Sequence, residues 1–267
     1  MRIVRYLDKD GNVHHGAQQE DGSACEIAGD IFGEHTVTDR TAAIEKLLSP
    51  TGPADIFGIG RNYRLHAEEA GESVPEYPVV FQKNSYAVQN PGDPIVIPRH
   101  LRSDAVDYEC ELAVVIGKKC KNVSKESALD FVLGYTCGND VSARDWQEEW
   151  GGSQFCKGKG FDTFAPLGPC LVTTDEITNP SGLRIRTILN GDVMQDSNTE
   201  DMIFDVPTLV EFLSGSTTLL PGTIILTGTP GGVGIVRDPP IVLKGGDEVT
   251  VDIERIGQLT NPVVEES

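Results

Sequence analysis

Residues 107–140 constrain this chain more than any other stretch. They read DYECELAVVIG, then KKCKNVSKESALDFVLGYTC, then GND. Side chains on a strand alternate faces, so Glu109 and Glu111 share one face, while Cys110 and Leu112 share the other. Two carboxylates side by side at the mouth of an apolar strand repel each other and lose hydration. Folding tolerates that only if a cation or a proton compensates them. Asp140 ends the second apolar segment and offers a third carboxylate. An all-oxygen donor set favours a hard divalent ion, Mg²⁺ or Mn²⁺. The alternative is an exposed edge strand with both glutamates in solvent, and the spacing alone leaves the two readings open.

Around this stretch the pattern is short apolar runs punctuated by glycine and proline. RIVRYLDKDGNVHHGA reads as two strands about the turn residues Asp10, Gly11 and Asn12. Ala43, Ile44, Leu47 and Leu48 fall at helical spacing, which predicts a helix over 41–48 stopped by the SPTGP cluster at 49–53. That cluster is the predicted boundary between a small N-terminal domain (1–53) and a larger one (54–267). Further on, DIFGIGRNY, PVVFQKN and DPIVIP read as strands, ILNGDVMQD as a hairpin on Asn190-Gly191, and VPTLVEFLSG as a helix. PGTIILTGTPGGVG runs from a strand into a Thr/Gly loop, and KGGDEVTVDIERIG alternates as a half-buried strand. Strands dominate and no βαβ repeat occurs, so the class is α+β, mostly β.

Several side chains have the chemistry of a site. On the helix predicted from RLHAEEAG, His66 and Glu69 share a face, where a carboxylate can orient an imidazole or share a water with it as a general-base pair; surface pairs of this kind are also common. Lys83 ends an apolar run and is either solvated or aimed at an anionic group. Arg144 and Gln147 sit three apart on a short polar helix, and Lys157 and Lys159 follow in a glycine-rich segment. No phosphate loop of the form G-x-x-x-x-G-K-[ST] is present, Gly58-Ile59-Gly60 lacks the third glycine of a dinucleotide fingerprint, and no G-x-S-x-G elbow occurs.

Charge excludes other functions. With 22 Lys+Arg against 41 Asp+Glu the formal charge is 22 − 41 = −19, which argues against nucleic acid and anionic membranes as partners. The six cysteines form no C-x-x-C pair, so neither a zinc site nor a disulfide framework is expected. The first residues carry no apolar signal region, and no run approaches the ~20 apolar residues of a membrane span. A cytoplasmic protein is the expectation.

RNYRLHAEE, DYECELAVVIGKKC, NDVSARDWQ, KGFDTFAPLGP, ILNGDVMQDSNTEDMIF and ILTGTPGGVG, in that order, resemble the fumarylacetoacetate hydrolase superfamily, most closely its domain-containing type 2 members. The resemblance covers about residues 55–262. It implies a mixed β-roll catalytic domain, a small N-terminal α+β domain and a homodimer. It implies Mg²⁺ or Mn²⁺ on Glu109, Glu111 and Asp140, catalytic roles for His66, Glu69 and Lys159, and substrate contacts from Lys83, Arg144, Gln147 and Thr229. Gly160 stands where many members carry Ser or Thr. The implied activity stabilises an enolate of a small dicarbonyl acid. Hydrolysis of an acylpyruvate-type C–C bond is expected first. The alternatives are an oxaloacetate tautomerase or decarboxylase, and a carboxylate-binding protein without turnover.

Overall fold

The structure is a computed structural model and describes residues 1–65 and 73–267. Its N-terminal part contains β1 (Arg2–Leu7), β2 (Val13–Gln18), β3 (Ala24–Gly29), β4 (His35–Thr41) and β5 (Lys46–Leu48). Next come β6 (Ile56–Gly60), β7 (Val79–Lys83), β8 (Val88–Gln89), β9 (Ile95–Ile97) and β10 (Val106–Asp107). The central motif supplies β11 (Cys110–Ile116), β12 (Val132–Asn139) and β13 (Ser142–Ala143). Two one-turn helices follow, α1 (Arg144–Glu148) and α2 (Phe155–Lys159). The chain continues through β14 (Ala165–Thr173), β15 (Arg184–Leu189), β16 (Asp192–Asn198), α3 (Val206–Ser216), β17 (Ile224–Leu226), β18 (Glu248–Ile253) and β19 (Gly257–Glu265).

Most strands join one sheet in the order β4-β3-β2-β1-β14-β12-β11-β17-β6-β7, while β16-β15-β18-β19-β9 form a second and β10-β13 a third. Most pairs are antiparallel, but β6 lies parallel to β17, β8 to β14 and β9 to β19, so the architecture is mixed and mostly β. Strand β11 is buried along its whole length. Cys110, Leu112, Val114 and Ile116 pack into one core, and Ala113 and Val115 into another. That two-sided burial is why the sequence runs continuously apolar here. Each fully buried Val, Leu or Ile contributes roughly 1.5–3 kcal/mol, which offsets the cost of placing carboxylates at the strand's start.

The helix predicted over 41–48 is not formed. Residues 41–48 hold the end of β4, a turn and β5, which pairs antiparallel with β1 through Arg5↔Leu48 to Leu7↔Lys46. The apolar spacing was helical, yet Ile44 is 39% exposed while Ala42 and Leu48 are buried. A three-residue ladder on β1 therefore outweighs the local pattern, and residues 1–50 fold without a helix. β1 also pairs with β14 (Arg2↔Val172, Ile3↔Leu171), so the N-terminal strands extend the sheet that carries β11 and β12. The hairpin on Asn190-Gly191 is present, with φ of 52° and 90° at the two turn residues, as a type I′ turn requires. Helix α3 starts on Asp205, whose side chain accepts from the Thr208 amide, and buries Val206, Leu209, Val210 and Leu213. Among the described residues no helix is long and apolar enough to cross a membrane.

Candidate metal centre and cavity

Pleat and register bring the three carboxylates together. Glu109 and Glu111 flank Cys110 at the start of β11, on the same face. The antiparallel register Cys110↔Asn139 and Glu111↔Gly138 then carries Asp140 alongside, where its amide donates to the Glu109 carbonyl at 2.9 Å. One oxygen from each of the three carboxylates lies within 4.8 Å of the others. Relative exposure is 6% for Glu109, 1% for Glu111 and 0% for Asp140, so the exposed-edge reading of E-x-E does not describe this strand.

Cations compensate them unevenly. The Lys159 ammonium donates to Glu109 Oε2 (2.8 Å), Asp140 Oδ2 (2.8 Å) and Ser142 Oγ (2.7 Å). Lys83 donates to Asp140 and to the Val141 carbonyl. Arg144 Nη2 meets Glu109 Oε1 at 2.6 Å and Asp107 Oδ2 at 2.9 Å, while Nη1 donates to Gln147 Oε1 at 3.0 Å. Glu111 accepts from the Gly228 amide at 2.7 Å. Four buried carboxylates (Asp107, Glu109, Glu111, Asp140) thus face three buried cations (Lys83, Arg144, Lys159), a formal sum of 3 − 4 = −1.

The protonation tendencies follow from that sum. Burial, then the charges of Asp140 and Glu109, push the Glu111 carboxyl well above the usual carboxylate range. Burial works to lower Lys159, but Asp140 and Glu109 outweigh it and hold the ammonium charged. For Lys83 burial wins over Asp140 and the net shift is downward. Burial likewise opposes the Arg144 charge, and Glu109 and Asp107 reverse it.

A divalent cation fits this cluster. One oxygen of each carboxylate lies within 4.8 Å of the others, close enough for a single ion between them to draw all three in. Its charge would offset the excess of carboxylates and favour the ionised form of Glu111. Glu109, Glu111 and Asp140 would hold it.

Above the carboxylates is a cavity of about 380 Å³, a size for a small organic acid. Glu109, Glu111, Lys159, Arg144, Gln147 and Thr229 supply its polar lining. Phe155, Val233, Ile235 and Val236 supply apolar wall, with Arg61 also on the lining. The Thr229 hydroxyl donates to the Cys110 carbonyl and accepts from Gln195.

Of the residues singled out in the sequence, Glu109, Glu111, Arg144, Gln147, Lys159 and Thr229 line this one cavity, and Asp140 lies directly against Lys159. Lys83 is placed behind Asp140 with its side chain fully buried, not on the cavity wall. Lys157 lies outward, its ammonium 4.6 Å from the Phe161 ring centroid. His66 and Glu69 fall outside the described residues. Sequence reasoning missed Asp107 and Ser142. Neither has a local signature, because their partners Arg144 and Lys159 come 37 and 17 residues later.

Comparison with known proteins gives a consistent result. The family model described as fumarylacetoacetate (FAA) hydrolase C-terminal matches residues 55–264, and one described as Rv2993c-like, N-terminal matches residues 1–50. The mitochondrial oxaloacetate tautomerase fahd2 of Xenopus laevis is 50% identical over 219 residues, 82% of this chain and 68% of the relative. Protein Rv2993c of Mycobacterium tuberculosis is 44% identical over 271 residues, 99% of this chain and 98% of the relative. A crystal structure titled 5-carboxymethyl-2-hydroxymuconate delta-isomerase from Mycobacterium smegmatis superposes with a TM-score of 0.87 at 42% identity, covering 100% of both chains.

Proposed function

Because the chain belongs to the fumarylacetoacetate hydrolase family, we propose that it is a divalent-metal-dependent enzyme that interconverts the keto and enol forms of a small oxo-dicarboxylic acid, with oxaloacetate the first candidate. The observation that carries this reading is the cavity lining, where Glu109 and Glu111 stand with a charged lysine and an arginine-glutamine pair and Asp140 lies directly against that lysine. Relatives named as a tautomerase and an isomerase support isomerisation ahead of the hydrolysis expected from sequence.

The chain's own groups divide the work. Arg144 and Gln147, joined through Nη1 and Oε1, present donors for a substrate carboxylate. Lys159, held protonated with its three N–H donors on Glu109, Asp140 and Ser142, stabilises through its charge the negative charge that develops as the carbon beside the keto group loses its proton. His66, steadied by Glu69, takes that proton and returns it to the enol oxygen, so the reaction is a balanced isomerisation. Mg²⁺ or Mn²⁺ on Glu109, Glu111 and Asp140 adds a Lewis acid for the substrate's oxygens. Phe155, Val233 and Ile235 keep water from the reactive carbon.

A second reading is hydrolysis of an acylpyruvate-type C–C bond, favoured by the His66–Glu69 pair as a water-activating base; decarboxylation is a third fate of the same enolate. Purified protein with Mg²⁺ is tested on oxaloacetate, following enol loss by ultraviolet absorbance and pyruvate by coupled assay, and on acylpyruvates in ¹⁸O water. Enol–keto conversion without pyruvate supports the tautomerase. Label in a cleaved acid replaces it with the hydrolase.

A further inference from the structure

We propose that Asp107 is a positioning residue that fixes the Arg144 guanidinium and the cavity wall at Gly234 and Ile235 together, so that carboxylate binding depends on one buried charge outside the cavity. The inference rests on the reading of Arg144 as the substrate-carboxylate clamp.

The backbone sets up the pairing. β10 and β13 are antiparallel with Val106↔Ala143 and Asp107↔Ser142, and α1 begins at Arg144 directly after β13. Asp107 is thereby brought against the first residue of that helix. Its side chain is fully buried.

Both carboxylate oxygens are committed to N–H donors. Oδ2 accepts from Arg144 Nε (3.0 Å), Arg144 Nη2 (2.9 Å) and the Ile235 amide (3.1 Å). Oδ1 accepts from the Gly234 amide (2.8 Å) and the Tyr108 amide (2.9 Å). An ionised carboxylate has about four lone-pair sites, and five donors more than fill them. No place remains for a metal or a transferable proton, so the role of Asp107 is geometric.

The consequence for Arg144 is directional. Asp107 grips the Nε/Nη2 edge of the guanidinium, Glu109 takes a further contact from Nη2, and Nη1 is left beside Gln147 at the cavity. Rotating the plane would break the two bonds that converge on Asp107 Oδ2 at one end and the Gln147 contact at the other. The wall is held as closely. A Cβ on Gly234 would lie 1.9 Å from the Ile241 carbonyl oxygen and 2.6 Å from Asp107 Oδ1, so only glycine lets the loop approach. Ile235, next in the chain, lines the cavity. Clamp and wall therefore share one anchor.

The variant Asp107→Asn separates the two halves of that anchor. Its amide oxygen can still accept from Gly234 and Tyr108, whereas its amide nitrogen faces Arg144 and the Ile235 amide donor to donor. The expected result, with Mg²⁺ present, is a roughly tenfold to hundredfold weaker oxalate affinity by calorimetry and a matching rise in KM. Mg²⁺ affinity and amide exchange at Gly234 should stay close to those of the parent, while the unfolding midpoint falls and exchange at Ile235 rises. Asp107→Ala should raise exchange at both amides. Arg144→Gln should weaken oxalate at least as much, and adding Asp107→Asn to it should cost clearly less than Asp107→Asn costs in the parent. Parent-like oxalate binding in Asp107→Asn, or additive losses in the double variant, would overturn the proposal. Parent-like oxalate binding in Arg144→Gln would instead overturn the clamp reading of Arg144.

Discussion

Lys159 Nζ and Asp140 Oδ2 lie 2.8 Å apart with side-chain exposures of 3% and 0%. The same ammonium reaches Glu109 at 2.8 Å, so one lysine ties two of the three clustered carboxylates. Removing it should have two separable effects. Lys159→Met should lower kcat by about 100- to 1000-fold, as loss of a fixed positive charge beside a developing oxyanion does. It should also destabilise the metal-free protein by about 3–5 kcal/mol, because buried carboxylates lose their partner. Added Mg²⁺ should recover stability but not turnover, as thermal unfolding and rate measurements on the same samples will show. Equal recovery of both would remove Lys159 from the chemistry.

The clustered carboxylates lead to a second expectation. Glu109→Ala and Glu111→Ala should each abolish turnover and weaken Mg²⁺ or Mn²⁺ binding beyond calorimetric detection, with circular dichroism unchanged, since β11 is held by its apolar side chains. Unaltered metal affinity in both variants would sink the assignment. Asp140→Asn should show the same loss in a weaker form.

Metal binding should depend on pH through Glu111. Burial and two neighbouring carboxylates raise this group above its ordinary value of 4.5. A raised carboxyl favours the folded metal-free protein while protonated. That stability is present below the unfolded value and is lost as pH climbs through the folded one. Metal binding must displace the proton, so affinity should rise with pH by up to about tenfold per unit over this window, then level off. Metal titrations across pH will measure the slope.

The catalytic pair inferred from sequence separates the two leading activities. Under the tautomerase reading, Glu69→Ala should depress enol–keto conversion and exchange of the C3 protons together. Under hydrolysis it should stop bond cleavage while C3 exchange persists, because Lys159 still stabilises the enolate. Deuterium uptake by NMR beside product formation decides between them.

A dimer is the remaining expectation, carried by the family resemblance. Light scattering at micromolar concentration should give twice the mass of the 28.8 kDa chain. A monomer would contradict it.

The start of β11 was legible because strand alternation is a local rule, and it placed Glu109 and Glu111 on one face before any fold was known. Asn190-Gly191 was legible for a similar reason, since both turn residues take positive φ. The segment at 41–48 was misread because its neighbour on β1 lies some forty residues earlier, at Arg5 to Leu7. Asp107 was overlooked on the same ground. In sequence it is one more acid before an apolar run, and its meaning comes from amides 127 and 128 residues away. Lys83 could be read as solvated or substrate-facing, but its position against Asp140 depends on the β6–β7 ladder and on burial that no periodicity reports.

The ladder between β1 and β14 has a consequence for how the chain is made. Arg2 pairs with Val172, so the first strand is synthesised 172 − 2 = 170 residues ahead of its partner. At about 5–20 residues per second, β1 waits roughly ten to thirty seconds for β14. During that time it can pair with β2 and β5, whose ladders are local, while the edge that will meet β14 stays open. Translation speed between residues 50 and 172 thus sets how long an unpaired strand edge is available to other nascent chains, and slowing that interval should raise the aggregated fraction even when every residue is unchanged.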